Sequence, residues 1–406
     1  MLPRAMNRAS RLVAEYIPQG DTSMLRLVRV LGWVAAMIIA VFVAGTASSS
    51  DSPLAKLAAA KFPNLTHAER ALLWFADINN ISRGAFAVAG PISNPADPGN
   101  DPVHADKWDA QREVRATLIR WMCADRHAIE LEDPGGIRLM GARITGGLDL
   151  AHLRVPAPLE LSNCSIPEEI SFDYAEIPGL NLNGSHTGAI YAPGIKVTGE
   201  LDMGYGFDAS AEVYMVGSTI DGPALFNGGS FRHSVAPRGL SPESVAFESQ
   251  MKVALNLHDT QIKGTVVMIN GFQSKGAISM DNTSISGDFL CWGARFINPN
   301  NFALWAPQCV VSHDVHMSDV IFRVPAPHIA VVDGVVMFFG ARIGGALDVA
   351  GVKFSGAPSD NHGLDVSNAS IQNFITIGAS FGDDAFERLN GAQIQFMFDD
   401  PASWPK

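Results

Sequence analysis

The chain predicts an all-β protein, a parallel β-helix or β-solenoid of roughly a dozen coils, with a small N-terminal helical region capping it. Three observations lead there. A weak phrase recurs from Ile137 to Phe398 with a drifting period of roughly ten to twelve residues. Within the phrase apolar residues sit two apart, which is strand periodicity. The step leaves no room for a crossover helix, so each short strand can bury its apolar side only by stacking on the next copy.

The front of the chain reads as an address. Arg26 and Arg29 precede an uncharged run over residues 30–50, densest in LGWVAAMIIAVFVAG. A basic flank, an apolar run and then Gly45, Thr46 and Ala47 form a secretory signal pattern, and the run nearly suffices to span a bilayer. Arg4, Arg8 and Arg11 also lie before it, so the positive-inside rule keeps the N-terminus cytoplasmic. The expectation for residues 1–50 is a cytoplasmic tail plus a signal peptide or membrane anchor. The body would then be anchored outside the cytoplasm, or secreted or periplasmic after cleavage. Met24 is an alternative start that leaves a shorter signal.

Residues 51–130 carry helical patterns. Thr66 followed by Glu69 is a capping box ahead of ALLWFAD. Over residues 106–124, Val114, Leu118, Trp121 and Met122 fall on one helical face. Between these helices AGPISNPADPGNDP reads as a loop. An open solenoid end exposes core and strand edges, so this region is the expected cap.

Residues 131–400 form the solenoid. Its clearest copies are GARITGGLDL (residues 141–150) and GARIGGALDV (residues 340–349). Leu148 and Leu150 should point inward and Asp149 outward, and the later copy places Leu347 and Val349 inward. Leu159 with Leu161 and Ile170 with Phe172 continue the pattern. A second phrase, a small residue, any residue, then Ile or Phe, ends at Ile220, Ile262, Ile285, Phe296, Ile371, Phe381 and Ile394. Gly141, Gly184, Gly217, Gly293 and Asn368 should sit at corners with positive φ. Two stretches break the rhythm. Residues 232–249, with Pro237 and Pro242, and residues 298–307, with Pro299 and Pro307, read as excursions from the coil.

At 47% hydrophobic and 17% charged residues, the chain can bury a sizeable core. Its formal charge is −12, and the first 50 residues are net basic, so the body is more acidic still. No basic stripe suits nucleic acid. Cys123, Cys164, Cys291 and Cys309 lack CxxC pairing, which excludes zinc-ribbon and thioredoxin-like readings. Cys164 fills the small slot of the repeat. Cys291 and Cys309 lie close to one coil apart, leaving open a stacked disulfide in an oxidising compartment.

Motif-like strings dissolve into the repeat. GASFG around Ser380 matches a serine-hydrolase string but is one more copy of the small-x-Phe phrase. GYGFDA from Gly204 matches a dinucleotide fingerprint, yet an alternating strand follows where a helix is required. His313 and His316 would face opposite sides of a strand, as a solvated pair. Asp149, Asp202, Asp348 and Asp365, with Glu160, Asn181 and Asn256 in the same slot, read as a solvated, locally paired face. Catalytic, cofactor-binding and metal-ligating residues: none is nominated, and no cofactor is implied.

The runs VRATLIRWMCAD (residues 114–125), DPGGIRLMGARITGGLDL (133–150) and PLELSNCSI (158–166) resemble a family of uncharacterised bacterial repeat proteins. That family is similar in style to pentapeptide-repeat proteins, whose phrase is echoed in AHL and AEI. The resemblance implies a β-solenoid, and some relatives carry the label of membrane-associated oxidoreductase. The functional reading is a non-enzymatic scaffold, membrane-associated or exported, offering a rigid surface to a protein or polysaccharide partner. A polysaccharide-acting β-helix enzyme and a membrane-associated oxidoreductase are the alternatives.

Overall fold

The computed structural model describes residues 52–80, 85–90, 98–234, 246, 250–319, 328–354, 362–381 and 386–399. The signal or anchor expectation (residues 1–50) and most of the first excursion lie outside them. No helix among the described residues is long and apolar enough to cross a membrane.

The strands among these residues form two long parallel sheets of 18 and 19 strands, the arrangement of a parallel β-solenoid. One coil shows the logic. Leu180–Asn181 lies in the first sheet, His186–Thr187 and Ile190–Tyr191 in the second, and Lys196–Val197 returns to the first. Each side of the coil is thus one small-x-Ile strand and one Leu-Asp-Leu strand, a single copy of the compound phrase. The phrase encodes half a coil, which is why its period is about half the expected coil of roughly 20 residues.

Register follows from this. Leu159 pairs with Leu180, Leu180 with Leu201, and the column continues through Ala224, Val266, Phe289, Val315, Leu347 and Phe374. Leu148, Leu150, Leu347 and Val349 are wholly buried, and Asp149 is exposed, as the strand phase requires. The five expected corner residues take positive φ, from 56° at Asn368 to 70° at Gly293. In two copies the sizes are exchanged: Phe207 and Phe272 take the small slot, and Ala209 and Ser274 the large one. Phe231, paired with Ala209, then fills the space, its ring 5.3 Å from that of Phe207. Total volume is conserved, which is what a close-packed interior needs.

Among the described residues four α-helices precede the coils: α1 (Pro53–Lys61), α2 (His67–Phe75), α3 (Ala116–Ala124) and α4 (Arg126–Leu131). Thr66 and Glu69 form the expected capping box on α2. Glu69 is also buried against Arg115, with bonds of 2.7 Å from Nε and from Nη2. Leu54, Leu72 and Leu118 share one apolar cluster with Leu139, Ile144 and Leu148. The region adds a strand to each sheet as well: Ala87–Val88 pairs with Leu139 and Met140, and Glu113–Arg115 with residues 143–145.

Two expectations need correction, and one pairing left open is resolved. The helix expected over residues 106–124 begins only at Ala116; Val114 sits on a strand, paired with Ile144. Sheet pairing overrides the helical period because one inward strand residue continues the apolar face of the helix that follows. The excursion expected over 298–307 is confined to a bulge within the strand Arg295–Trp305, whose register shifts between Ile297 and Phe302 and again before Leu304. Cys291 and Cys309 are free and buried. Cys291 occupies an inward Leu position and Cys309 a small-residue slot, so the two never stack.

Candidate functional site

The Leu-Asp-Leu carboxylates are turn formers. Oδ1 of Asp149, Asp202, Asp348 and Asp365 accepts the backbone N–H two residues on, at 2.8–3.0 Å. Asn181 and Asn256 do the same at 2.9 and 3.1 Å. These are Asx turns, which bend the chain out of the strand and into the corner. The small slot ties one coil to the next. There the Ser185, Thr260 and Thr283 hydroxyls donate to carbonyls of the preceding coil, Leu161, Met215 and Leu257, at 2.5–2.8 Å.

The expected solvated acidic face is not one face. Asp149 and Asp365 lie in the second sheet, Asp202 and Asp348 in the first. Only Asp149 of the four is exposed; Asp202 is 5% exposed and Asp348 fully buried. Asp149 meets Arg120 at 3.2 Å, and Arg143 meets Glu113 at 3.2 Å.

The histidine pair also splits. His313 is exposed, but His316 is buried between Asp314 at 3.7 Å and Asp348, its register partner, at 3.6 Å. The Trp292 ring packs against it edge-on. Burial pulls the His316 pKa down, but the two carboxylates outweigh it and hold the imidazole up at about 9. Burial likewise opposes ionisation of Asp314, yet His316 and the Ala346 amide hold that carboxyl below its ordinary value. The outward direction of a strand residue was legible; that neighbouring bulk covers it was not.

Ser380 opens a two-residue strand paired with Lys353, and Gly204 donates its N–H to Asp202 within an Asx turn. The strand Asp208–Ala209 follows where a dinucleotide fold needs a helix. Burial pushes the Cys164 and Cys309 thiols up to about 12. No group of three or more metal-binding side chains occurs among the described residues.

Two features were not read from the sequence. A cavity of about 600 Å³ is lined by His67, His104, Lys107, Trp108 and Arg112. Arg112 itself is fully engaged: it bonds the carbonyls of Gly141 and Gly99 and Oδ1 of Asn100, over the Trp108 ring at 3.9 Å. It ties the helical region to the first Gly corner. The second feature is an aromatic patch. Tyr174 stands at a corner, 66% exposed, its ring parallel to the His152 imidazole at 5.9 Å. Beside it Tyr191 stacks on Tyr214 of the next coil at 5.5 Å. Burial foremost, and the charges of Asp173 and Glu169, raise the Tyr191 phenol above its ordinary value.

Two parallel sheets of stacked short strands define the class, a parallel β-solenoid. No family model, curated protein or solved structure matches the chain.

Proposed function

We propose that the protein is a non-enzymatic recognition scaffold, a stack of roughly a dozen coils closed at its N-terminal end by α1–α4. Residues 1–50 would hold it at the membrane or export it, as the arginine-flanked apolar run suggests. The observation that carries this reading is the use of the repeated polar residues. Asp149, Asp202, Asp348 and Asp365 bend the chain, and Ser185, Thr260 and Thr283 tie coil to coil. Chemistry-bearing side chains thus serve rigidity, and a rigid surface loses little entropy on binding. The bacterial pentapeptide-repeat-like family remains the resemblance that best suits such a protein.

Fractionation of cells expressing a C-terminally tagged protein should place the body in the membrane pellet or outside the cytoplasm. A full-length protein found soluble in the cytoplasm would refute the location. Labelling by a fluorophosphonate probe that disappears in Ser380→Ala would refute the non-enzymatic reading.

A further inference from the structure

Among the described residues Tyr174 is the most exposed large hydrophobic side chain. Its φ is 45°, the left-handed region. Its N–H donates to Pro193 O, and the His152 N–H donates to Asp173 O, so His152, Tyr174 and Gly194 occupy one corner position in successive coils. Gly194 holds that conformation without strain, whereas for a side chain the left-handed region costs roughly 1–2 kcal/mol. Packing does not offset the difference, because the ring is mostly exposed. It lies instead across Gly194, where a Cβ would fall 2.5 Å from Tyr174 Cε1. Together with the parallel His152 ring this holds the phenol flat on the corner, one face open to solvent. Strain kept at an exposed position points to a role at the surface.

Polar groups neighbour the ring in sequence and in register. Asp173 precedes it and meets His152 Nε2 at 3.7 Å. Tyr191 pairs with Ser171 on one side and Tyr214 on the other, so its hydroxyl rises beside a small neighbour. A flat aromatic face with an acceptor next in sequence and a phenol on the adjoining strand suits a ligand that has a C–H face and a rim of hydroxyls. Asp173 and Glu169 bring negative charge to Tyr191, which disfavours an anionic polymer.

We propose that Tyr174, Asp173 and Tyr191 form a subsite for a neutral saccharide chain. Tyr174 stacks on a pyranose face, while Asp173 accepts and Tyr191 exchanges hydrogen bonds with its hydroxyls. This rests on the scaffold reading and names its ligand class.

The full chain is tested by affinity electrophoresis in gels containing a neutral glucan, mannan, galactan or xylan, and by calorimetry with the matching hexasaccharides. At least one polymer should retard the protein. Tyr174→Ala should weaken binding at least about tenfold, the scale of a lost aromatic contact, and Tyr174→Phe should retain it. Tyr205→Ala, at another exposed positive-φ corner, should bind as the parent does. Tyr174→Gly should lose binding while melting no lower than the parent, which separates recognition from folding. Failure of all four polymers, or undiminished binding by Tyr174→Ala, overturns the subsite. Capture of a protein partner through Tyr174 without saccharide overturns it too, but leaves the scaffold standing. Release of reducing ends from a retarding polymer supports the subsite and overturns the scaffold.

Discussion

Leu148 and Asp149 are neighbours with opposite roles. Leu148 is wholly buried, and Leu148→Asp places an unpaired charge in the core, a loss of several kcal/mol, on the order of 3 or more. Asp149→Ala loses an Asx-turn bond and the Arg120 ion pair at an exposed site, which should cost about 1 kcal/mol. Urea unfolding of both variants checks the order; equal losses would refute the strand phase. The sequence set the side each residue faces, but the turn bond of Asp149 to the residue two ahead leaves no trace in periodicity. His316 was the harder case. Its pKa of about 9 in the fold lies above the ordinary 6.5, so its contribution is complete below about pH 6.5 and is lost as pH rises through about 9. His316→Ala leaves two carboxylates without their cation and should destabilise by about 3–5 kcal/mol near neutrality. The stability gap between parent and His316→Gln, measured by urea unfolding at about pH 6.5 and about pH 9.5, should narrow at the higher pH. A constant gap would mean the imidazole is neutral in the fold.

At the scale of elements, α2 was legible because its signal is local: Thr66 and Glu69 satisfy each other three residues apart. The strand Arg295–Trp305 was not, because its cause is distant. Prolines and asparagines over 298–307 suggest a loop, yet Asn298 Nδ2 donates to Met251 O at 2.9 Å and Phe302 O at 2.7 Å. One amide thereby pins a two-step bulge to the chain end of the first excursion. Asn298→Ala should cost about 1–3 kcal/mol by leaving buried carbonyls unsatisfied. Asn300, whose φ is 63°, is a mild site, and Asn300→Gly should be neutral within about 0.5 kcal/mol. Thermal denaturation of the two variants decides it, and equal effects would show that the bulge is held by its turn conformation alone. The helix expected from residue 106 failed for a related reason: pairing of Val114 with Ile144 lies outside any local window.

For the whole molecule, the phrase and its place separate. GARITGGLDL and GARIGGALDV are nearly the same string, yet the first lies in the 19-stranded sheet and the second in the 18-stranded one. The two sides of a coil make the same demand, a small residue at the bend and two inward apolar residues beyond it, so one phrase serves both. The sequence by itself determined the solenoid, the inward columns, the corners with positive φ and the helical start, because each follows from spacing along a few residues. Only the tertiary structure decided which sheet a copy joins, that Asp348 and His316 meet beneath the surface, that Cys291 and Cys309 never do, and that Tyr174 lies flat over Gly194. Those outcomes depend on contacts between coils, and insertions, bulges and exchanged sizes shift these in ways that a local period does not record.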